Sequence, residues 1–382
     1  MPVRVLIAGV STRALAVSAA RAGNLVTALD AFGDLDLRRV AEVIVIRTGP
    51  GQRYTPIAAA AAADQLHFDM ATYTSNFENY PAAVGRLGNG RQLLGNSPQV
   101  LTLVRDPIAL MDRLRYRGFA APATCSTQPP SRQIRGAWLL KPRRSGGGHG
   151  TTVWVNQQRV PKSHYLQERI EGVAGSVLFA ADGQRSAPLA ISRQMVGDAH
   201  FGASGFRYCG SLIGPPAALF PGQAGLLDIA TGLAAVVAEE FHLLGLNGID
   251  FVARGGVPYP IEVNPRYCAS MELVERAQGL SIFGVHARAS RGNLPSGLVG
   301  PTQVHGKAIV FARRGVLMGD TRPWAERDFL ADIPHPGEKI GQGHPICTVF
   351  ASAKDAATCY YTLRKRAAAV YRAADSRKRY AA

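Results

Sequence analysis

The sequence predicts a protein of the α/β class, with a parallel N-terminal sheet domain, a larger mixed region and a small β-rich part near the C-terminal end. Three observations carry this prediction. Apolar runs alternate with helical segments at the start, two apolar segments flank a Gly-Gly turn in the middle, and short β-like segments between turns follow residue 304. Alternation of the first kind is typical of a parallel sheet with helices on its faces.

The N-terminal elements alternate between strand and helix. Residues 3–8 form an apolar run that ends at Gly9, an Ala-rich helix follows to Ala22, and further strands are predicted at 25–29 and 43–46. Strand, turn and helix in this order are typical of a Rossmann-like nucleotide-fold domain. The turn lacks the full G-x-G-x-x-G pattern, so it does not indicate NAD.

A loop at the end of the N-terminal domain and a helix at the start of the mixed region are predicted next. Residues 72–98 are predicted to form a loop that leads into a short helix, and the polar cluster at 73–81 either contacts substrate or is an ordinary sheet-edge loop. A helix is predicted over 106–117, because Pro107 suits a first helical turn and Gly118 suits a stop.

A hairpin with a glycine-rich turn is predicted after Trp138, with Lys141 on its first strand and a second strand at 151–155. The turn contains Gly146, Gly147, Gly148, His149 and Gly150. Because glycines let backbone N–H groups approach a ligand closely, phosphate binding is favoured over a plain flexible turn. Neither G-K-[ST] nor a helix follows, so the loop is not a Walker A loop. His149 either touches phosphate or faces solvent.

The mixed region continues with two strands and three helices. Strands are predicted at 165–172 and 176–180, a long core helix at 222–243, and two more helices at 271–280 and 282–289.

The segment after residue 304 changes character. A strand is predicted at 307–312, short strands between turns at 331–334 and 337–350, and a helix from 354 onward. The basic stretch from Arg364 to Arg377 is interpreted as a solvated helix face rather than a nucleic-acid contact.

The segments 248–252 and 260–266 are the most informative part of the chain, because their hairpin turn brings Asp250 beside Glu262. Glu262 and Asn264 are two positions apart, so both side chains lie on one face of the strand. Apolar neighbours argue against a solvated surface position for these carboxylates.

Three oxygen donors without imidazole or thiolate suit Mg²⁺, with Mn²⁺ as the alternative, bound together with phosphate. Arg266 follows on the same strand, where it can hold a phosphate or carboxylate in a bidentate contact.

Composition limits the classes of protein. The chain has 382 residues and a net charge of +16, which predicts about two or three domains and an anionic partner. No basic strand interleaved with aromatic residues occurs, so nucleic acid is not favoured. Five cysteines without a C-x-x-C pair predict reduced thiols in the cytoplasm rather than a zinc ribbon or disulfides. No apolar run reaches about 18 residues, so no membrane span is expected.

Taken in order, these segments resemble the ATP-grasp superfamily. The matching features are Lys141, the loop Gly146–Gly150, the strand Gln167-Glu168-x-Ile170-x-Gly172, and Asp250 followed by Glu262-x-Asn264. The run Glu262-Val263-Asn264-Pro265-Arg266 is similar to the biotin carboxylase and carbamoyl-phosphate synthetase branch. The resemblance implies a pre-ATP-grasp domain at 1–104, an ATP-grasp domain at 105–300 with a small lobe at about 120–180, and a C-terminal subdomain at 301–382.

The resemblance also implies a role for each matching residue. Lys141 and the glycine loop would bind the ATP phosphates, and Gln167, Glu168 and Ile170 would meet the adenine. Asp250, Glu262 and Asn264 would hold Mg²⁺, and Arg266 would steady the transferred phosphoryl group.

Three positions depart from the pattern or match it loosely. Ala174 stands where many ligases have a ribose-binding Glu, Gly248 stands where many have an Arg, and Arg105 aligns loosely with the usual first basic residue.

The function implied is an ADP-forming carboxylate–amine ligase that uses ATP and Mg²⁺ and proceeds through an acyl phosphate, on small and anionic acid and amine substrates. Among predicted ATP-grasp carboligases, the resemblance extends to those that build methanopterin- or furan-type one-carbon cofactors. Two alternatives stay open: a carboxylase that uses bicarbonate, and a regulatory protein that binds nucleotide or nucleic acid. A homodimer is also compatible with the sequence.

Overall fold

The computed structural model describes residues 2–46, 54–127, 136–155, 159–296 and 300–375. Its N-terminal domain has a five-stranded parallel sheet in the order β3-β2-β1-β4-β5. Its elements are β1 (Arg4–Ala8), α1 (Arg13–Arg21), β2 (Leu25–Asp30), α2 (Leu35–Arg38), β3 (Glu42–Val45), α3 (Pro56–Ala63), β4 (Met70–Tyr73), α4 (Pro81–Leu87) and β5 (Gln92–Leu93). The parallel sheet predicted from the sequence is confirmed.

Strand β1 shows why this sheet is covered on both faces. Val5 and Ile7 belong to one buried cluster, whereas Leu6 and Ala8 belong to another. Successive side chains of a strand point to opposite faces, so a continuous apolar run needs helices on both sides.

The segment 72–98 contains more regular structure than the predicted loop and short helix. A 3-10 turn at Phe77–Asn79 precedes α4, and β5 and the start of the next helix follow. The sequence pattern missed β4 and β5 because strands of four and two residues are too short to show a period.

Two helices, α5 (Pro98–Val104) and α6 (Pro107–Tyr116), lead from this domain to a four-stranded sheet in the order β6-β9-β7-β8. The strands are β6 (Thr124–Cys125), β7 (Trp138–Pro142), β8 (Thr152–Val153) and β9 (His164–Glu168). Helix α6 is confirmed, since Asp106 caps it and Pro107 is its first residue. The strand predicted at 151–155 is shorter than expected.

An eight-stranded sheet in the order β14-β13-β10-β11-β12-β15-β19-β17 forms the centre of the molecule. The elements up to the end of the mixed region are β10 (Val173–Asp182), β11 (Ser186–Val196), β12 (Tyr208–Ile213), α7 (Pro216–Leu219), α8 (Leu226–Phe241), β13 (Leu244–Arg254), β14 (Val257–Asn264), α9 (Met271–Gln278) and α10 (Ile282–Ala289). Strand β10 pairs with β13 along its whole length and so belongs to the eight-stranded sheet.

The C-terminal part contains β15 (Val304–Phe311), β16 (Val316–Leu317), β17 (Leu330–Ala331), β18 (Lys339–Ile340), β19 (Pro345–Ala353) and α11 (Ala356–Asp375). The predicted β-rich character is present, but β15 and β19 continue the eight-stranded sheet instead of forming a sheet of their own. Residues of the basic tail beyond 375 lie outside the described ranges. Within those ranges, no helix combines the length and apolarity that crossing a membrane requires.

Candidate active site

A cleft of about 720 Å³ lies where the four-stranded sheet, the eight-stranded sheet and loops of the N-terminal domain meet. This volume falls within the range of roughly 300–1,000 Å³ that is usual for small-molecule sites. We call the part formed by Lys141, Gly146, Gly147, Gly148 and Gln167 the first wall of the cleft.

The β13–β14 hairpin supplies the carboxylates of the cleft. Asp250 pairs directly with Glu262 across the two strands, as the sequence predicted. Gly255 and Gly256 form the turn with φ of +59° and +79°, a region that glycine enters without strain. The Asp250 carboxylate accepts hydrogen bonds from Gln194 Nε2 at 2.8 Å and Asn264 Nδ2 at 3.0 Å.

The two opposed carboxylates have different electrostatic environments. Burial and the charge of Glu262 raise the pKa of Asp250 to about 7. Burial would also raise the pKa of Glu262, but Arg105 and Lys141 outweigh burial and hold it below its ordinary value. A carboxylate whose pKa is raised by a neighbouring carboxylate is a position where a bound cation is favourable.

Arg105 is a major partner of Glu262, and the sequence pointed to it only through a loose alignment. Its Nη1 lies 2.5 Å from Glu262 Oε1 and donates to the Val263 carbonyl at 3.1 Å. Its Nη2 donates to Asn79 Oδ1 at 2.9 Å and to the Ser145 carbonyl at 3.2 Å. Arg105 therefore joins the hairpin, the N-terminal domain and the segment before the glycine loop.

Arg266 is held by a carboxylate that the sequence did not single out. Its Nη2 lies 2.8 Å from Oε1 of Glu78, which is fully buried on the 3-10 turn after β4. The same nitrogen donates to Asn264 Oδ1 at 3.0 Å. Burial would lower the pKa of Arg266, but Glu78 outweighs burial and raises it above the ordinary value. Arg266 is thus a fixed positive charge that lines the cleft.

Lys141 is the cation of the first wall. Its Nζ donates to Gln167 Oε1 at 3.0 Å and to the Ile261 carbonyl at 3.4 Å, and it lies 5.7 Å from the centre of the Tyr165 ring. None of the carboxylates in the described ranges forms an ion pair with it. Gln167, predicted to meet adenine, lines the cleft and is buried, with its side chain against Lys141 and the Ile261 carbonyl of β14.

The glycine loop packs on the chain just before β12. The Gly147 carbonyl accepts a hydrogen bond from the Tyr208 amide at 3.0 Å. A Cβ on Gly148, which has φ of +77°, would lie 1.8 Å from the Phe206 carbonyl oxygen. Only glycine permits this approach, so the position of the loop depends on residue type.

Only some of the other predicted site residues line the cleft. Glu168, Ile170 and Ala174 line the cleft with Gly146, Gly147 and Gly148, whereas His149 and Gly150 are exposed and are not part of its lining. Cys268 also lines the cleft, but burial raises its pKa to about 12, which disfavours a reactive thiolate.

The donors at the hairpin suit a hard cation that is shared with a ligand. Asp250, Glu262 and Asn264 offer only oxygen, and Asn264 Oδ1 already accepts from Arg266. Across the described part of the chain, no group of three or more His, Cys, Asp or Glu side chains could hold a metal alone. Mg²⁺ fits such a site because it usually combines one or two carboxylates with substrate phosphates.

The middle of the chain contains an ATP-grasp domain. Residues 104–270 match the family model of the ATP-grasp domain, so the chain contains this domain, and the resemblance found in the sequence is confirmed. A curated but uncharacterized protein of Methanocaldococcus jannaschii is 32% identical over 115 residues, which is 30% of this chain and 28% of that protein.

Two solved structures share the architecture along nearly the whole chain. A biotin carboxylase from Campylobacter jejuni has a TM-score of 0.72 at 13% identity, with 94% of this chain and 89% of that chain covered. An L-amino acid ligase from Bacillus licheniformis has a TM-score of 0.68 at 15% identity, with 95% and 96% covered. At these identities the likeness shows the fold, and the predicted fold class is confirmed.

Proposed function

We propose that this protein is an ATP- and Mg²⁺-dependent carboxylate–amine ligase. In the first step a substrate carboxylate attacks the γ-phosphorus of ATP, the bond to the β-phosphate oxygen breaks, and an acyl phosphate and ADP form. In the second step an amine attacks the acyl carbon and phosphate leaves with one amine proton, so that the products are an amide and hydrogen phosphate. Neither step needs a covalent intermediate on a protein side chain.

The proposed roles follow the charges of the cleft. Lys141 and the backbone of Gly146–Gly148 would bind the phosphates, and Glu168 and Ile170 would border the nucleotide base. Asp250 and Glu262, with Asn264 beside them, would hold Mg²⁺, which supplies charge neutralisation at the phosphates when it is bound. Arg266, held by Glu78, would stabilise negative charge on the transferred phosphoryl group.

One observation carries this proposal. The opposed pair Asp250 and Glu262 shares one cleft with two cations, Lys141 from the four-stranded sheet and Arg266 from the strand end. Phosphoryl transfer needs positioning and charge neutralisation more than it needs a nucleophile or base. A cleft with oxygen ligands for a cation and fixed positive charges meets this requirement.

The variants Lys141→Ala and Glu262→Ala test the proposal. Both should lose Mg²⁺-dependent ADP formation by on the order of 100-fold or more, because Lys141 would contact the phosphates and Glu262 would hold the Mg²⁺ that neutralises them. Calorimetric titration with MgATP should show the same loss in binding without any second substrate. The exposed positions Lys339 and Glu326 provide matched controls as Lys339→Ala and Glu326→Ala. Undiminished turnover in either cleft variant would contradict the proposal.

Carboxylation with bicarbonate is the second candidate. It is supported by the Glu262-x-Asn264-Pro265-Arg266 run and by the shared fold of a biotin carboxylase. Release of ADP with bicarbonate alone, compared with release in the presence of paired acids and amines, separates the two reactions. A regulatory nucleic-acid-binding role predicts no ATP turnover and binding that weakens steeply with salt.

Some finer assignments stay predictions. A step in building methanopterin- or furan-type cofactors depends on the sequence resemblance alone, and a screen of acid and amine pairs for phosphate release tests it. Homodimer formation and a cytoplasmic location are likewise predictions, which size measurement and localisation of the tagged protein would check.

A further inference from the structure

A second group of polar side chains lines the cleft besides the residues assigned to the nucleotide. They come from the β1–α1 turn, the segment after β14 and the C-terminal strands. We call this group the second wall, and its members are Ser11, Arg13, Tyr267, Ser270, Lys307 and Asp332. The proposed nucleotide chemistry uses none of them.

The cations of the second wall are already neutralised by carboxylates. Arg13 Nε donates to Asp332 Oδ1 at 2.9 Å and lies 3.5 Å from Asp36, and its Nη1 donates to Glu272. Lys307 Nζ donates to the same Glu272 at 2.6 Å. Both cations of this wall are therefore already in ion pairs when an anionic ligand approaches. On the first wall, by contrast, Lys141 forms no ion pair with a carboxylate of the described residues.

The ion pairs favour the ionised form of Glu272 and of Asp332. Burial would raise the pKa of Glu272, but Arg13 and Lys307 outweigh burial and hold it well below its ordinary value. Burial would likewise raise the pKa of Asp332, but Arg13 holds it low. Two cations thus face two ionised carboxylates, with Asp36 adjoining, and the second wall carries no excess of positive charge.

Tyr267 adds an unused hydrogen-bonding group to this wall. Its side chain is 6% exposed, and its buried hydroxyl has no hydrogen-bond partner among the described residues. The hydroxyl groups of Ser11 and Ser270 likewise form no hydrogen bond within the described ranges. Because a buried polar group without a partner is costly, a ligand that hydrogen-bonds to Tyr267 removes that cost.

We propose that the second wall binds the nucleophilic substrate as an amine whose bound part is uncharged or cationic, with the Tyr267 hydroxyl as a direct hydrogen-bond contact. This assignment rests on the proposed ligase function and names its second substrate class. The sequence predicted that both substrates are anionic. In this proposal only the acid substrate is anionic, and the part of the amine that contacts the second wall carries no negative charge.

The charge class can be tested with matched amines that differ by one anionic group. Suitable pairs are ethanolamine with O-phosphoethanolamine, glucosamine with glucosamine 6-phosphate, and glycinamide with glycine. Each is titrated calorimetrically into the full chain holding Mg²⁺ and a non-hydrolysable ATP analogue. We expect the uncharged or cationic member of each pair to bind about tenfold or more tightly than its partner. Equal or tighter binding of the anionic members, or no binding of any amine, would overturn the proposal.

The variant Tyr267→Phe tests the direct contact. It should weaken binding of the preferred amine about fivefold to tenfold, because one hydrogen bond is lost, and should leave nucleotide binding and the melting temperature unchanged. Tyr54→Phe is the matched control, since it also removes a buried hydroxyl without a partner but lies outside the cleft.

The possible outcomes distinguish failure of the second-wall proposal from failure of the ligase proposal. Unchanged amine binding by Tyr267→Phe would overturn the contact, and a lowered melting temperature with unchanged binding would show a structural role only. Failure of the wild-type chain to bind MgATP would instead remove the ligase function itself. Wild-type binding of MgATP with amine discrimination of the opposite sign would remove the second-wall proposal alone.

Discussion

The two walls of the cleft use their charged side chains in different ways. On the first wall Lys141 contacts only an amide oxygen, a carbonyl oxygen and an aromatic ring, so its charge is available to a ligand. On the second wall Arg13 and Lys307 share Glu272 and join three parts of the chain. Substitution of Lys141 on the first wall should therefore affect ligand binding. Substitution of Arg13 or Lys307, which both pair with Glu272, should instead lower the stability of the fold.

The largest expected effect is on stability, in Arg13→Met. Removing this cation leaves Glu272 and Asp332 buried without their main partner, which typically costs about 3–5 kcal/mol. Lys141→Met should change the free energy of unfolding by only about 1 kcal/mol or less, because Glu262 keeps its close ion pair with Arg105. Urea denaturation of both variants measures the contrast. Similar losses of unfolding free energy in the two variants would contradict the expected difference between the two walls.

A second effect concerns His286, which joins the N-terminal sheet to the eight-stranded sheet. Its Nε2 contacts Thr72 Oγ1 at 2.9 Å, and its Nδ1 accepts from the Leu246 amide at 3.0 Å. Burial lowers the pKa of His286 to about 4, from an ordinary value near 6.5. Between these values the unfolded chain binds more protons than the folded protein, so stability falls as pH falls.

The expected loss between pH 6.5 and pH 4 is about 3 kcal/mol, since one pKa unit corresponds to about 1.4 kcal/mol. His286→Gln should flatten this part of the pH dependence of the free energy of unfolding, measured by urea denaturation. The exposed His67 provides the control as His67→Gln, which should keep the wild-type slope. An equal slope in wild type and His286→Gln would show that other groups cause the acid sensitivity.

The smallest expected effect is on the KM for ATP and comes from the glycine loop of the first wall. A pair of glycine variants distinguishes displacement of this loop from backbone strain. Gly148→Ala should raise the KM for ATP about tenfold, because its Cβ would displace the loop from the Phe206 carbonyl. Gly90 has φ of +68° with nothing within 4 Å of an added Cβ, so Gly90→Ala carries similar strain without the clash. Steady-state kinetics should show a change in KM only for Gly148→Ala. The same rise in both variants would point to strain rather than loop position.

Features fixed by short-range spacing could be predicted from the sequence. Asp250 and Glu262 lie on adjacent strands joined by a Gly-Gly turn, so their direct pairing followed from spacing alone. The ion pair between Arg105 and Glu262 spans 157 positions, and no local pattern encodes it.

Glu78 shows a different limit of sequence reasoning. It lies within the polar cluster at 73–81 that was singled out, but its partner Arg266 belongs to another domain. Gln194, which donates to Asp250, lies on a strand without any recognisable motif. These contacts depend on how the eight-stranded sheet meets the N-terminal domain, which is a property of the tertiary structure.

Strand β14 is an outer strand of the eight-stranded sheet, and its position bears on self-association. An open strand edge can recruit a strand from another molecule and start aggregation. Here Pro258 and Pro260 remove two amide donors from β14, and Lys141 and Gln167 both donate toward the Ile261 carbonyl. The opposite edge is β17, which is only two residues long. The four-stranded sheet, which carries Lys141 and Gln167, therefore covers part of this edge against edge-to-edge pairing and also forms a wall of the cleft.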